Sequence, residues 1–223
     1  MTSPRTLLFI LVATVILGVG FYSFPEWDLG FSALFYNSEQ GFYLKDYPLV
    51  LFSYYGNRYF AATLVAILLV LLGITIKTRK TILGLDNKGY SYVLVVAVIG
   101  PVLIVNSLFK SNWGRARPED VTQFGGQMTF TPAFVISDQC SQNCSFVSGH
   151  PSVFFALIAL GLLYKGRTRV TIVSLATSLG ALVGLGRIMQ GGHFLSDVVF
   201  SFVFILLTAL VIYRIMYKED QNA

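Results

Sequence analysis

Residues 198–217, VVFSFVFILLTALVIYRIMY, form an apolar run whose single charged residue is Arg214. A run of about 20 mostly apolar residues has the length that an α-helix needs to cross the ~30 Å hydrocarbon core of a bilayer. The whole chain is similarly apolar: 55% of its 223 residues are hydrophobic, 12% are charged, and its mean hydropathy is +0.68. A soluble domain usually carries about 25% charged residues, and a disordered chain needs low hydrophobicity. The composition therefore excludes both classes and indicates a membrane protein.

Five more stretches, all upstream, are apolar enough to cross the membrane. They are Leu7–Phe24, Tyr59–Ile76, Ser91–Phe109, Ser152–Tyr164 and Val170–Leu185. Apolar residues surround these segments instead of forming one stripe, as contact with lipid and with protein requires. The fourth and fifth of the six spans are short, and flanking residues are expected to complete the crossing. We therefore predict one all-α membrane domain over residues 1–223, a polytopic protein with six transmembrane helices.

Local features refine these spans. Leu7–Phe24 is longer than the apolar core of a cleavable signal peptide, and no small-residue cleavage site follows it, so we expect it to remain as an anchor. Gly100-Pro101 lies inside the third span, where proline removes a backbone donor and is expected to kink the helix.

The loop after the first span carries aromatic-rich pieces at residues 27–31 and 49–52. We interpret these as interfacial anchors rather than as a substrate gate.

Lysine and arginine are unevenly distributed between the two sides that six spans define. Ten of the 16 lie on the side of the termini: Arg5, Lys77, Arg79, Lys80, Lys88, Lys165, Arg167, Arg169, Arg214 and Lys218. Of the six on the opposite side, four belong to the polar clusters described next. The positive-inside rule therefore places both termini in the cytoplasm. Because the basic residues are placed in this way, the net charge of +5 does not indicate nucleic-acid binding.

The first polar cluster, KSNWGRARP at residues 110–118, follows the third span on its outer side. Lys110 and Arg117 are seven residues apart, so on a helix that continues from the span they share a face. An ammonium group and a planar guanidinium together form a good receptor for a phosphate dianion. A basic anchor at the membrane edge is the alternative, although such anchors favour the cytoplasmic side.

The second cluster, SFVSGHP at residues 145–151, leads directly into the fourth span. Pro151 suits the first turn of a helix. It places the backbone N–H groups of Ser148, Gly149 and His150 at a helix N-terminus, where anions bind. Glycine in this position allows a ligand to approach the backbone closely. The alternative is a capping serine followed by an incidental histidine.

The third cluster, RIMQGGHFLSD at residues 187–197, precedes the sixth span. His193 and Asp197 are four residues apart, so a helix here sets the carboxylate against the imidazole. A carboxylate that accepts a hydrogen bond from one ring nitrogen fixes the tautomer and leaves the other nitrogen free to attack. Arg187 adds a second guanidinium. The alternative is a satisfied polar contact between His193 and Asp197.

All three clusters lie at the outer ends of consecutive predicted spans. Together they supply three cations, a helix N-terminus, one histidine beside a carboxylate and a second histidine. This inventory fits phosphoryl transfer, whose barrier is lowered chiefly by positioning and charge stabilisation. A zinc site is the alternative interpretation of two histidines and a carboxylate, but the surrounding cations would repel a metal ion. We therefore expect neither a metal nor a cofactor.

In order and spacing, the three clusters resemble the tripartite signature of the type 2 phosphatidic acid phosphatase superfamily, which is related to vanadium haloperoxidases and bacterial acid phosphatases. Its pattern is Lys-x6-Arg-Pro, then Pro-Ser-Gly-His, then Ser-Arg-x5-His-x3-Asp. The first motif is complete here, whereas Val147 replaces the usual proline of the second and Gly186 replaces the serine of the third. Both departures lie outside the charged and nucleophilic positions. The resemblance covers about residues 91–217 and agrees with six spans.

The resemblance implies a role for each matching residue. His193 would attack phosphorus to form a phosphohistidine, Asp197 would orient His193, and His150 would protonate the leaving lipid oxygen. Water would then release the phosphate without a metal ion. The groups that would bind the phosphate oxygens are the side chains of Lys110, Arg117, Arg187 and Ser148 and the backbone N–H of Gly149.

The segment between the first two motifs, residues 119–143, resembles the corresponding segment of bacterial lipid A 4'-phosphatases. Residues 123–124, 134–137 and 139–146 carry this likeness, and WGR at residues 113–115 fits the same branch. The resemblance implies a lipid A phosphatase of the bacterial inner membrane, with the 4'-phosphate favoured over the 1-phosphate and a periplasmic active site. Phosphatases of undecaprenyl pyrophosphate or phosphatidylglycerophosphate would use the same catalytic residues and stay open, as does a lipid-to-lipid phosphotransferase. A lipid-binding transporter or scaffold would not need a paired histidine and aspartate.

Cys140 and Cys144 lie in the same predicted outer loop. In an oxidising periplasm we expect them to form a disulfide that stiffens the loop beside the active site. Two unpaired thiols are the alternative.

Overall fold

A computed structural model describes residues 4–218, so the first three and last five residues of the predicted domain lie outside the described part. The described chain is mostly helical, as predicted. Its long helices are α1 (Pro4–Ser23), α3 (Pro48–Thr78), α4 (Asn87–Ala97, continued by Val98–Lys110), α7 (Gly166–Met189) and α8 (Leu195–Met216). The shorter elements are α2 (Glu26–Ala33), the hairpin strands β1 (Tyr36–Asn37) and β2 (Gly41–Phe42), α5 (Gly149–Ala156) and α6 (Ile158–Leu162).

Five of these helices are long and apolar enough to cross a membrane: Pro4–Ser23, Pro48–Thr78, Asn87–Lys110, Gly166–Met189 and Leu195–Met216. The predicted fourth span, Ser152–Tyr164, corresponds to the shorter apolar segment Gly149–Leu162. This segment is interrupted at Leu157, where α5 ends and α6 begins. The all-α polytopic class is therefore confirmed for the described residues, whereas a sixth span and the direction in which the helices face stay predictions.

Helix α3 begins earlier than the sequence indicates, at Pro48 rather than at Tyr59. Proline suits a first helical turn because its missing N–H has no intrahelical partner there. The apolar residues 49–52 then continue the helix, so they belong to α3 and not to a separate interfacial piece. The helix ends at Thr78, because the next residue, Arg79, adopts the left-handed conformation at φ 56°.

The third span changes its backbone geometry close to Gly100-Pro101, where a disturbance is expected. From Val98 to Lys110 the α-helix gives way to wider π-type turns. A π-type turn pairs each N–H with the carbonyl five residues earlier. The side chain of Asn106 follows the same wider spacing, donating to the carbonyl of Pro101 at 2.6 Å. The disruption expected from proline therefore takes the form of a change in helix type.

Helix α8 is the centre of the bundle. Its most apolar stretch is 61% buried, compared with 6% for α1, which lies at the periphery. Helices α5 and α7 pack closely beside it: a Cβ added at Gly180 would lie 2.2 Å from the ring of Phe155, and one added at Gly184 would lie 2.4 Å from Val198. Small residues on α7 thus let three helices converge, and the N-terminus of α8 is held firmly at one end of the bundle.

The long segment between Lys110 and Gly149 covers that end of the bundle. It is irregular apart from two short 3₁₀ turns, Pro118–Asp120 and Thr122–Phe124. A small buried cluster ties it to the first-loop hairpin and to the start of α8: Phe42, Ala116, Val121, Phe124 and Phe194. This packing brings residues from the first loop, the long segment and α8 to one place.

Candidate functional site

The three polar clusters of the sequence meet at this end of the bundle. The backbone N–H of Ser145 donates to the carbonyl of Arg115 at 2.9 Å, which joins the second cluster to the first. The N–H of Ser148 donates to the carbonyl of Asp197 at 3.1 Å, which joins the second cluster to the third. Lys110 and Arg187 act electrostatically on both His150 and His193. The clusters therefore form a single site.

His193 is fully buried at the base of this site. Its Nδ1 lies 2.7 Å from the carbonyl oxygen of Ser145. A carbonyl only accepts hydrogen bonds, so Nδ1 carries the proton and Nε2 has a free lone pair. Nε2 is buried and has no hydrogen-bond partner within residues 4–218. This is the arrangement that a nucleophilic imidazole needs.

The charge state of His193 agrees with that role. Burial, reinforced by the charges of Lys110 and Arg187, lowers the pKa of His193 to about 3, even though the neighbouring Asp197 opposes the shift. The imidazole is therefore neutral at physiological pH, and its lone pair is not taken up by a proton.

Asp197 lies next to His193, but not through the helical spacing that the sequence indicates. Helix α8 begins at Leu195, so His193 precedes the helix and the predicted i, i+4 helical pair is wrong. Asp197 stands in the first turn, where its Oδ2 accepts a hydrogen bond from the N–H of Phe194 at 2.7 Å. The same oxygen is 3.6 Å from Nδ1 of His193. The carboxylate thus acts on the imidazole by charge, while the carbonyl of Ser145 accepts the hydrogen bond.

Lys110 and Arg117 do not share a helical face, and this prediction is also wrong. Gly114 ends the helical path at φ +66°, and a Cβ there would lie 1.7 Å from the carbonyl oxygen of Ser137. Arg117 is extended (φ −81°, ψ 160°), as expected for a residue that precedes proline. The two cations are nevertheless near enough to one another that the charge of Arg117 acts on the buried ammonium of Lys110.

Arg187 presents a second guanidinium to the site, and unlike that of Arg117 it is buried. Its Nη1 donates to the side-chain oxygen of Gln190, whereas its Nε is buried without a partner in the described chain. Gly192 lies flat against it, because a Cβ at that position would be 2.1 Å from Nη2. Any larger residue at position 192 would displace the guanidinium.

The N-terminus of α5 completes the site. Ser148 occupies the N-cap position, but its hydroxyl makes no capping hydrogen bond. The hydroxyl oxygen is buried and has no partner among the residues that the structure describes. The predicted alternative of a capping Ser148 therefore does not hold. Backbone N–H groups at such a helix start attract anions.

Sequence reasoning missed Tyr54, which lies on α3. Its ring stacks on His150 with centroids 4.9 Å apart and an interplanar angle of 21°. The guanidinium of Arg187 lies 4.6 Å from the same ring. Tyr54 thus contacts one histidine and one arginine of the site. Nothing in the sequence marks it among the many aromatic residues near the first loop.

Sequence reasoning also missed a buried ion-pair network behind His193. Arg115 and Asp28 are both fully buried and lie 2.8 Å apart, and Arg115 is 2.6 Å from Asp197. Burial opposes the charge of Arg115, but Asp197 and Asp28 outweigh it and raise the pKa of the guanidinium above its usual value. The piece at residues 27–31 is therefore part of the support of the site, and its interpretation as an interfacial anchor is incomplete.

Cys140 and Cys144 form a disulfide in the loop beside the site. The residue before Cys144, Asn143, accepts a hydrogen bond from Nη2 of Arg117 through its carbonyl at 2.8 Å. The residue after it, Ser145, contacts His193. Cys144 therefore lies between two residues whose backbone carbonyls contact the side chains of Arg117 and His193.

The sequence is similar to known proteins of one family. Residues 90–221 match the PAP2 superfamily. The chain is 39% identical over 210 residues to a lipid A 4'-phosphatase of Francisella tularensis subsp. novicida, an alignment that covers 90% of this chain and 91% of the relative. It is 34% identical over 125 residues to a lipid A 4'-phosphatase of Rhizobium leguminosarum, covering 56% and 52% of the two chains. A lipid A 1-phosphatase of Rhizobium etli is 36% identical over 125 residues, covering 54% and 50%. No solved structure matches the chain.

Proposed function

The chain belongs to the PAP2 superfamily and is a phosphatase, and from this premise we propose that it removes a phosphate from lipid A, the 4'-phosphate in preference to the 1-phosphate. The preference is supported by one alignment, since the relative that covers nine-tenths of the chain is a 4'-phosphatase. The alignments over about half of the chain include both a 4'-phosphatase and a 1-phosphatase.

One observation carries the assignment of the site. Of the buried side-chain polar atoms that lack hydrogen-bond partners in the described residues, three belong to the predicted site and come from three different segments: Nε2 of His193, Oγ of Ser148 and Nε of Arg187. Leaving such groups unpaired costs about 1–3 kcal/mol each. A bound phosphate would accept from the two donors and present its phosphorus to the imidazole lone pair.

The first step forms a phosphohistidine. Nε2 of His193 attacks phosphorus, a nitrogen–phosphorus bond forms, and the bond between phosphorus and the sugar oxygen breaks. The leaving oxygen takes the electron pair of that bond, and protonated His150 donates the proton that neutralises it. Lys110, Arg117 and Arg187 oppose protonation of His150. The negative charge of the bound phosphate offsets these three cations and so favours the protonated form.

The second step releases phosphate. His150, now neutral, takes a proton from a water molecule whose oxygen attacks phosphorus. The nitrogen–phosphorus bond breaks, its electron pair returns to Nε2 of His193, and inorganic phosphate leaves. The positive charge that the imidazole carries between the two steps is stabilised by Asp197 and by the hydrogen bond from Nδ1 to the carbonyl of Ser145.

A set of hydrogen-bond donors around the phosphate position binds the phosphate oxygens. Fixed charges and N–H groups in a site shielded from water stabilise developing negative charge strongly. The set consists of the side chains of Lys110, Arg117, Arg187 and Ser148 and the backbone N–H of Gly149. No step requires a metal ion, so we expect turnover in the presence of a chelator.

The same proposal places the enzyme in the bacterial inner membrane. Both termini lie in the cytoplasm, the site faces the periplasm, and Gly149–Leu162 with its flanking residues forms a sixth span. The distribution of lysine and arginine supports this orientation, since ten of 16 are on the side opposite the site.

Purified protein in detergent tests the proposal directly. We expect phosphate release from lipid A and from a lipid A that carries only the 4'-phosphate, with much slower release from the 1-monophosphate, as read by mass spectrometry of the lipid. Undecaprenyl pyrophosphate and phosphatidylglycerophosphate complete the panel, and faster release from either would overturn the substrate assignment. His193→Ala should abolish release, and rapid acid-free quenching of the wild type should trap phosphate on His193.

A further inference from the structure

Arg115 is a buried cation that the proposed reaction steps do not use. Its side chain is fully buried and donates in three directions. Nε donates to the carbonyl of Thr131 at 2.8 Å, and Nη2 donates to Oδ2 of Asp28 at 2.8 Å. Nη1 donates both to Oδ1 of Asp197 at 2.6 Å and to the hydroxyl oxygen of Ser196 at 2.8 Å. The planar fork of a guanidinium fixes the relative position of the groups that it binds. Arg115 thus holds two carboxylates in a defined geometry.

Asp28 approaches from α2, in the first loop, and is also fully buried. Besides Arg115, its carboxylate accepts hydrogen bonds from both the backbone N–H of Ser196 at 2.8 Å and the hydroxyl of Ser196 at 2.6 Å. Ser196 lies in the first turn of α8, beside Asp197. Carboxylates favour helix N-termini, so Asp28 anchors the turn that carries Asp197.

We propose that Asp28 is a positioning residue for the phosphatase reaction: through Arg115 and Ser196 it fixes the carboxylate of Asp197, and through Asp197 the imidazole of His193. This inference rests on the proposed function, in which His193 is the nucleophile. It assigns a role in catalysis to α2, which lies outside the three sequence motifs.

The charges of the network give the physical reason. Arg115 alone would neutralise Asp197 and weaken its attraction for an imidazole that becomes positive during phosphoryl transfer. Burial raises the pKa of Asp28, and the charge of Arg115 and the hydrogen bond from Ser196 oppose that shift. Both oxygens of Asp28 accept hydrogen bonds, as a carboxylate does, so two carboxylates that share one guanidinium retain a net charge of −1 beside His193. In a buried site such a charge is weakly screened. The network therefore both orients Asp197 and keeps it effective as a counter-charge.

Substitution of Asp28 by asparagine keeps the shape of the side chain and removes its charge. We expect Asp28→Asn to lower kcat about 10- to 100-fold and to change KM by less than about twofold, because the phosphate-binding cations are untouched. The matched control is Glu26→Gln, an exposed carboxylate on the same helix, which should behave as the wild type. A purely structural role for Asp28 would instead lower the yield of folded protein without separating kcat from KM.

Ser196→Ala gives a second, milder measurement in case Asp28→Asn does not fold. It removes the hydroxyl that donates to Asp28 and accepts from Nη1 of Arg115, and kcat should fall about three- to tenfold with KM unchanged. A double-mutant cycle with Arg115→Lys then tests the route of the effect. If Asp28 acts through Arg115, the effects of the two single substitutions on kcat do not multiply in the double variant.

These kinetics are measured on whichever lipid phosphate the wild type hydrolyses fastest, so an error in the lipid A assignment leaves the comparison intact. Failure of the proposed nucleophile would show separately, as activity retained in His193→Ala. The positioning role is overturned if folded Asp28→Asn or Ser196→Ala retains kcat within about twofold, if either acts mainly on KM, or if the effects of Asp28→Asn and Arg115→Lys multiply.

Discussion

Nδ1 of His193 lies 2.7 Å from the carbonyl oxygen of Ser145, a residue 48 positions earlier in the chain. The same Ser145 donates its hydroxyl to Oδ2 of Asp197. One residue of the long outer segment therefore fixes both the tautomer of the imidazole and the carboxylate beside it. Orientation of the imidazole is therefore shared between the side chain of Asp197 and the backbone carbonyl of Ser145.

This relationship predicts a clear effect of Ser145→Ala. The backbone carbonyl remains, so His193 keeps its hydrogen bond, but Oδ2 of Asp197 loses one of its donors. We expect the free energy of unfolding to fall by about 1–3 kcal/mol, the cost of removing a partner from a buried charged group. Thermal unfolding in detergent measures this. Ser141→Ala, at an exposed position of the same loop, is the control and should leave the transition within about 1 °C of the wild type.

A second prediction concerns the pH dependence of stability. The folded pKa of His193 is about 3, below its ordinary value of 6.5, so between these values the unfolded chain binds a proton that the folded protein does not. The contribution of His193 is therefore complete above pH 6.5 and is lost as the pH falls toward 3. Between pH 7.5 and pH 5 the free energy of unfolding should fall by about 2 kcal/mol from this group alone.

His193→Gln isolates that contribution, because all other titrating groups are common to both proteins. Unfolding of the wild type and of His193→Gln is compared at the two pH values. The wild type should lose about 2 kcal/mol more than the variant. Equal losses in both proteins would show that His193 titrates near its ordinary value, which would contradict a buried neutral imidazole.

The long helices were predictable and the supporting network was not, for a physical reason. An apolar run of about 20 residues satisfies its backbone within one helix, so α1 and α8 follow from local sequence alone. Arg115 and Asp28 are 87 positions apart, and no spacing rule pairs an arginine of one loop with an aspartate of another. The role of the Ser145 carbonyl is even harder to predict from sequence, since every residue has a backbone carbonyl.

The motif residues were found because histidine is rare in this chain and because the three cations lie in compact polar clusters at the ends of apolar runs. With only two histidines in 223 residues, each draws notice, whereas Tyr54 is one of 12 tyrosines. The local geometry was harder to predict. The spacing of Lys110 and Arg117 suggested a helical face, but the positive φ of Gly114 and the restriction that Pro118 imposes on Arg117 make the chain extended there.

Tyr54 gives a third prediction. Tyr54→Phe keeps the ring between His150 and Arg187 and should change kcat/KM by less than about twofold. Tyr54→Leu loses both the stacking and the cation–π contact, each worth about 0.5–1.5 kcal/mol. It should lower kcat/KM about 5- to 100-fold. Tyr59→Leu removes an exposed tyrosine from the same helix and should have no effect on the rate. A large loss in Tyr54→Phe would mean that the hydroxyl, and not the ring, is what the site requires.

The disulfide gives the last prediction. Asn143 and Ser145 flank Cys144, and their carbonyls bind Arg117 and His193 respectively. Opening the bridge in Cys140→Ser/Cys144→Ser frees the loop and weakens the hold on Arg117, the most exposed of the three phosphate-binding cations. One hydrogen bond contributes about 0.5–1.5 kcal/mol, so kcat/KM should fall about two- to tenfold. Dithiothreitol should lower kcat/KM of the wild type by the same factor and leave kcat/KM of the double variant unchanged. A reductant effect of equal size in both proteins would come from elsewhere in the assay, and an unchanged wild type would show that the loop holds Arg117 without its bridge.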